Sequence, residues 1–560
     1  MKKQNSKMIN AKEHKLSTSI KFTIVAIVLI AVFCVALTPI TLQNDTYYTI
    51  KIGEHIVNSG IDMKDPFSWH QDLSYTYPHW AYDVCTYFIY NAFGMTGIYI
   101  TTCILTVILG ISLYFVNTKL AKNKIISFIV TIGAMYFIRG YIAARAQLVT
   151  FILFVLTIFL IEKFLETKKK RYATGLIAIP IIIANFHVAV FPFYFILYLP
   201  YIAEYIIASF GETIIYRKTS IKQLKRKIKT LSKKQGNEEI INKLQQELTE
   251  LEEKVDKIKI KRSKELQNPY KIRLNRNTNV RWLVLIMIVC MFAGLLTPLG
   301  DTPYTYLLKT MQGNTTQNIN EHLPMNISNE TEVMCVLIGF LAIMIFTKTK
   351  IRLCDLFMLG GLFYLMISSR RQVTMFMLIC SIIFNKFIVE LIQSYTKIKI
   401  ENIEKKVVTI IGTLVLTILM LVWSYYLVKD KKDNKYIDES TYPVQACDYI
   451  IQNVDLGKSR FYNEYNYGSY MLYRGIPVFI DSRADLYVPE FSGKEEDIFM
   501  DFIDTSSIGK FYGDTFEKYG ITHVITYKNS KMNMIITKTQ SSKYEELYSD
   551  KYFVVYKIVE

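Results

Sequence analysis

Paired cysteines are missing from this sequence. It has 8 Cys and no C-x-x-C pair, and Cys34, Cys103, Cys290, Cys335, Cys354 and Cys380 fall in or beside apolar runs. Only Cys85 and Cys447 stand outside such runs. The sequence therefore predicts neither a disulfide framework nor a metal site. A Walker loop, a dinucleotide-binding glycine fingerprint and a nucleophile elbow are missing too, so no cofactor chemistry is indicated. Acidic residues fall short of basic ones, 48 against 66, which leaves a net charge of +18. In a soluble protein that excess would point to nucleic acid. Here most short Lys and Arg clusters adjoin apolar runs, so the expected anionic partner is the lipid bilayer, and nucleic acid is not expected.

The composition is 51% hydrophobic yet 20% charged. The two kinds of residue are segregated into apolar runs of roughly 20 residues and short basic runs, as in chains that cross a bilayer. The first run, 22–42, follows Lys2, Lys3, Lys7, Lys12, Lys15 and Lys21. No small-x-small cleavage site follows it before Asp45, so it reads as a retained span. Further runs lie near 94–115, 125–138, 148–161, 173–184, 188–210, 282–298, 332–347, 353–367, 373–393 and 407–428. The expected fold is a membrane all-α body of about eleven transmembrane helices. With the N-terminus in the cytoplasm, the basic loops 117–124, 163–172, 347–352 and 396–406 all fall inside. The runs 125–138 and 173–184 are short enough to be tilted, broken or re-entrant helices.

Four parts are expected. Residues 1–216 form a first membrane body with a long outside loop at 41–93. Residues 217–280 form an insert in which Ile221, Leu224, Ile228 and Leu231, then Leu244, Leu248, Leu251, Val255 and Ile258, follow 3-4 spacing around Gln235-Gly236-Asn237. That pattern predicts a cytoplasmic antiparallel helical hairpin, either a structural spur or a docking site for a cytoplasmic partner. Residues 281–428 complete the membrane body. Residues 429–560 read as a small extracytoplasmic α/β domain, with a helix over 442–453, strands at 460–462, 478–480, 523–527 and 553–558, and helical stretches near 499–516.

Candidate chemistry gathers on the outside. The loop 41–93 far exceeds ordinary connections, and loops of that size are commonly functional. Asp45 follows the first span directly. It is either a polar residue at a helix end facing water or a general base where a lipid-borne substrate meets an aqueous acceptor. Arg139, Arg145, Asn185, His187, Arg370 and Arg371 reach the same side in this threading. An Arg at a membrane surface suits a phosphate, because its planar fork donates paired hydrogen bonds. Arg370 and Arg371 either snorkel to water or bind a ligand. In the C-terminal part, Asp481 and Arg483 end an expected strand, as a ligand-contacting pair or as an internal pair that orders a loop.

Taken together, Asp45 after the first span, Gly53-Glu54 and Asp65-Pro66-Phe67-Ser68 in the first outside loop, and the alternating short spans resemble the C-type membrane glycosyltransferases. That superfamily includes protein mannosyltransferases and the enzymes that add aminoarabinose to lipid A. The likeness is strongest to an uncharacterised bacterial branch with an Asn-x-His element like Asn185 to His187, a late Arg like Arg370 or Arg371, and a segment like Gly468-Ser469-Tyr470 followed by Asp481-Ser482-Arg483. It covers nearly the whole chain except the hairpin.

The resemblance implies transfer of a sugar, with inversion, from a polyprenyl-phosphate donor to an envelope glycan, lipid or protein on the outer face of the cell membrane. It makes Asp45 the base and Arg139, Arg145, Arg370 or Arg371 the holder of the leaving lipid phosphate. His79, Asp83 and His187 would shape the sugar or acceptor pocket. Many relatives pair two acids where this chain has Asn44-Asp45, so a second acid would come from Glu54, Asp65 or Asp83, and dependence on a divalent metal stays open. The rival readings are a non-catalytic protein that binds or moves a lipid-linked glycan, and a membrane anchor for a working C-terminal domain. A transporter would need polar groups at the bilayer midplane, whereas these gather at span ends.

Overall fold

The computed structural model describes residues 18–210, 213–232, 238–267, 272–326, 331–347, 349–395 and 409–559. The N-terminal lysines before position 18, the hairpin turn 235–237 and the basic loop 396–406 lie outside these residues.

Each of the eleven apolar runs forms a helix or a broken helix. Among the described residues six are long and apolar enough to cross a membrane: Ile20–Leu37, Trp80–Ala121, Gln147–Thr167, Val188–Ser209, Arg370–Tyr395 and Ile411–Lys429. Lys124–Phe137, Val280–Leu295, Thr331–Phe346 and Leu353–Ser368 are shorter apolar helices. The protein is thus a helical membrane protein with apolar helices against the bilayer. Ile411–Lys429 is the clearest lipid-facing helix, with only 11% of its window buried. The expected span 188–210 is broken into a 3-10 turn, Phe191–Ile196 and Leu199–Phe210. Lys170–Phe186 carries Pro180 inside it, where a ring costs the helix a hydrogen bond.

Inside the bundle, charges are paired. Arg352 meets Glu204 at 2.8 Å and Glu162 at 3.4 Å, while Lys386 meets Glu162 at 3.1 Å and Asp355 at 3.4 Å. Pairing is what makes burial of such groups tolerable. Lys386 lies thirteen residues into the helix Val373–Tyr395, so about 20 Å from its start. The insert forms Thr213–Leu231 and Glu238–Gln267. Val255 and Leu224 are buried and Lys225 pairs with Glu252 at 2.6 Å, as a hairpin requires.

The C-terminal part holds a four-stranded sheet in the order Phe461–Tyr462, His523–Tyr527, Phe553–Ile558, Tyr544–Ser549. The first pair is parallel and the others are antiparallel. The expected helix over 442–453 is Val444–Asn453, and the stretch 499–516 is two helices, Ile498–Ser507 and Tyr512–Tyr519.

The expected strand at 478–480 is not formed. The Asn463 side chain takes its backbone groups instead: it accepts from Phe479 N–H (2.8 Å) and donates to Ile480 O (2.7 Å). Gly468 lets the helix Tyr465–Tyr473 approach this segment, since a Cβ there would overlap the Ile480 carbonyl oxygen. Gly468→Ala is expected to destabilise the solubilised protein by about 1–3 kcal/mol, read as a lowered thermal midpoint.

The first long loop is not a free excursion. Asn44–Ser59 is a helix the sequence reading missed. Residues of this loop share one apolar core with the C-terminal part, including Tyr47, Leu73 and Tyr77 with Tyr470, Val478 and Tyr487. Polar ties reinforce it. Trp69 Nε1 donates to Phe461 O (3.0 Å), Asn44 Nδ2 donates to Tyr465 O (2.8 Å), and Ser68 bridges Val478.

Candidate functional site

A cavity of about 800 Å³ opens where the bundle, the first loop and the C-terminal part meet. Three elements bring its most polar groups together. Asp45 lies in the first turn of Asn44–Ser59, where the helix dipole favours an acid. Arg145 lies in the bend before Gln147–Thr167. Arg371 belongs to the 3-10 turn Arg370–Gln372 that starts the helix Val373–Tyr395. Arg145 Nε contacts Asp45 at 2.9 Å, and its Nη1 reaches Glu321 at 3.4 Å. One guanidinium thus holds two carboxylates on the cavity wall.

Glu321 and His322 were missed from sequence. Their signal was position, in the long stretch between the runs 282–298 and 332–347, on the side of Asp45. The backbone ties them to the arginines. Arg370 N–H donates to Leu323 O (3.0 Å) and Arg371 N–H to Glu321 O (2.9 Å). Burial raises the Glu321 carboxyl, but Arg145 and Arg371 outweigh it and hold it below the usual range.

Arg371 lines the cavity. Among the described residues its guanidinium has no salt bridge and no side-chain hydrogen bond, while its charge acts on the Glu321 and Asp485 carboxyls of the same cavity. That field reaches neighbours: with burial, it lowers His322 to about 4 and, with burial and Arg145, His79 to about 3. His187, beside His79 at 4.9 Å between ring centroids, is lowered by burial first, then by His79 and Arg371. Its Nδ1 meets Thr150 Oγ1 at 2.9 Å.

These histidines bind protons more weakly folded than unfolded. Their contribution to stability is complete above an unfolded pKa near 6.5 and is lost as pH falls toward 4. The thermal midpoint of the solubilised protein should therefore drop on going from pH 7.5 to pH 5. His322→Gln should flatten that drop.

Of the residues singled out in the sequence, Asp45, His79, Arg145, His187, Arg371 and Arg483 line the cavity. The others stand apart. Glu54 pairs with Lys51. Arg139 stacks on Tyr136 at 3.9 Å and meets Glu332 at 3.6 Å. Arg370 keeps its Nε buried away from the cavity wall. Asn185 clasps the first loop to the bundle, accepting from Trp80 Nε1 (3.1 Å) and donating to Leu296 O (3.0 Å). Asp83 is fully buried beside Gly53, behind the cavity.

Asp65 and Asp481 both hold Arg483, at 2.7 Å each, with all three side chains at most 2% exposed. Tyr487 adds a hydrogen bond to Asp481 at 2.6 Å. Asp481 and Arg483 thus join the C-terminal part to the first loop. None of the expected second acids, Glu54, Asp65 or Asp83, reaches the wall; Glu321 does. Among the described residues no three His, Cys, Asp or Glu side chains are grouped to hold a metal ion.

The C-terminal wall was also missed. Glu464, Tyr465, Asn466 and Asp485 line it, with Phe499 and Phe502. Asp485 accepts from Tyr306 Oη (2.6 Å) and Thr315 Oγ1 (3.2 Å). Burial raises its carboxyl above the usual range against the pull of those two bonds and of Arg371. Burial raises Glu464 likewise, opposed by the hydrogen bond from Thr526 (3.1 Å).

No family model matches the chain, and no curated protein is significantly similar to it in sequence.

Proposed function

We propose that the chain is an inverting membrane glycosyltransferase of the C-type, which moves a sugar from a polyprenyl-phosphate donor to an envelope acceptor at the outer membrane surface. The observation that carries this reading is one cavity with a carboxylate, Asp45, and a guanidinium, Arg371, that has no salt bridge among the described residues, on its walls. Surface transfer from a lipid phosphate needs those two groups. Asp45 takes the proton of the acceptor hydroxyl as its oxygen attacks the anomeric carbon. The bond from that carbon to the phosphate oxygen breaks, and the phosphate leaves with the electron pair. Arg371 meets the charge that grows on it. Arg145 orients Asp45 by its 2.9 Å contact.

The test is transfer of label from a polyprenyl-phosphate sugar into lipid, glycan and protein fractions of membranes that hold the protein. Arg371→Gln should lower kcat/KM for the donor about 10²–10³-fold, as for loss of one charge-stabilising donor. Donor binding by the wild type without transfer in any fraction would instead favour a binding or transport protein.

A further inference from the structure

The cavity has two walls that differ in their cations. The bundle and first loop supply Arg145 with its carboxylates Asp45 and Glu321, together with Arg371, His79, His187 and His322. The C-terminal part supplies Glu464, Tyr465, Asn466 and Asp485, with rings from Phe499 and Phe502. Its single cation, Arg483, is already held by Asp65 and Asp481. An anionic lipid phosphate has no partner on that second wall, so a second reactant must account for it. The volume of about 800 Å³ is near the top of the range for small-ligand sites, enough for two reactants side by side.

The second wall is built of groups that pair with hydroxyls. Asp485 already accepts from Tyr306 and Thr315, and Glu464 from Thr526. Each carboxyl keeps lone-pair sites beyond those bonds, and the amide of Asn466 on the same wall both donates and accepts. Such a wall suits a ligand whose hydroxyls both give and take hydrogen bonds. Phe499 and Phe502 back this wall from the core, 1% and 6% exposed. At the seam of the two walls, Asn44 Oδ1 is buried without a hydrogen-bond partner, while its Nδ2 is fixed by Tyr465 O at 2.8 Å. That orphaned acceptor adjoins Asp45 in the chain and lines the cavity, where an incoming hydroxyl would satisfy it.

We infer that the C-terminal wall is the acceptor subsite and that its occupant is an uncharged, hydroxyl-rich carbohydrate, held by Glu464 and Asp485 with its reacting hydroxyl between Asn44 and Asp45. This rests on the glycosyltransferase reading for the word acceptor, but not for the subsite itself. A peptide would offer few hydroxyls to this wall. An anionic polymer would bring charge to a wall with no free cation.

The test uses the full chain in lipid nanodiscs and two binding probes. One is undecaprenyl phosphate. The other is the neutral oligosaccharide fraction released from the envelope of the expressing cells, with the anionic oligosaccharide and peptide fractions run beside it. Wild type should bind the phosphate and the neutral fraction. Glu464→Ala and Asp485→Ala should each weaken the neutral fraction about tenfold or more, and leave the phosphate within about twofold.

Glu464→Gln and Asp485→Asn keep an acceptor oxygen at each place and should retain most of the carbohydrate affinity. They also control for folding. Arg371→Gln should show the reverse pattern. Equal losses of both probes in the C-terminal variants would overturn the division into two subsites. Preference of the wild type for the anionic or peptide fraction would overturn the ligand class. Binding of both probes without transfer of label would remove the enzyme reading and leave the carbohydrate subsite standing. Transfer onto peptide or lipid would keep the enzyme and remove this subsite.

Discussion

Asp45→Asn is expected to lower sugar transfer about 10²–10⁴-fold, the range that a positioned general base contributes. The amide keeps the size and one acceptor oxygen of the carboxylate, but it cannot take the acceptor's proton. Undecaprenyl phosphate binding should survive, because Arg371, the proposed partner of the phosphate, stands on another element. A double variant, Asp45→Asn with Arg145→Gln, guards against a trivial explanation. Arg145 contacts both Asp45 and Glu321, so removing Asp45 alone leaves a guanidinium free to take up another pose. Inactivity of both variants with intact donor binding and an unchanged thermal midpoint assigns the loss to proton transfer. Full activity of the single variant would exclude Asp45 as the base and move attention to Glu321, on the same guanidinium.

The second large effect concerns stability. Arg483→Met removes the cation between Asp65 and Asp481 and leaves two carboxylates with at most 2% exposure. Breaking a buried pair in this way costs about 3–5 kcal/mol. Asp65→Asn should cost less, since Asp481 remains to balance Arg483. The loss should show as a lower thermal midpoint and as new protease cleavage inside 60–78, where the loop leans on the C-terminal part through Trp69, His70 and Ser74. Helices of the bundle that line no part of the cavity, such as Leu353–Ser368, should keep their protection. Uniform weakening of bundle and loop together would mean that the seam holds up the whole molecule and not only the loop and the C-terminal part.

These residues also show what the amino-acid order discloses and what it hides. Apolar runs were legible as helices because twenty nonpolar residues in a row have one common use, and the 3-4 spacing around 235–237 disclosed the hairpin. Asp45, Arg145 and Arg371 were legible because charges beside apolar runs are conspicuous. The helix Asn44–Ser59 was not: its apolar face includes Tyr47, Ile50 and Ile52, which resemble a loop's scattered hydrophobes until a partner surface is known. The strand expected at 478–480 failed because hydropathy cannot reveal that Asn463, sixteen residues earlier, takes the backbone groups. Glu321, Glu464 and Asp485 were invisible because each is an ordinary acid in a polar stretch. Only the meeting of segments hundreds of residues apart gives them a common wall.

That distance also sets a clock. Arg483 and its partner Asp65 are separated by 418 positions, and Asn44 and Tyr465 by 421. At about 5–20 residues per second, a ribosome needs roughly 20–80 s to make the second half of this seam after the first. For that interval the newborn 41–93 segment carries Tyr47, Leu73 and Tyr77 with nothing to cover them, and an aspartate whose arginine has not been translated. This seam therefore matures only after the last helix has been inserted. A chain stopped at 429 would hold Asp45, Arg145 and Arg371 and still lack the surface that closes the cavity around them.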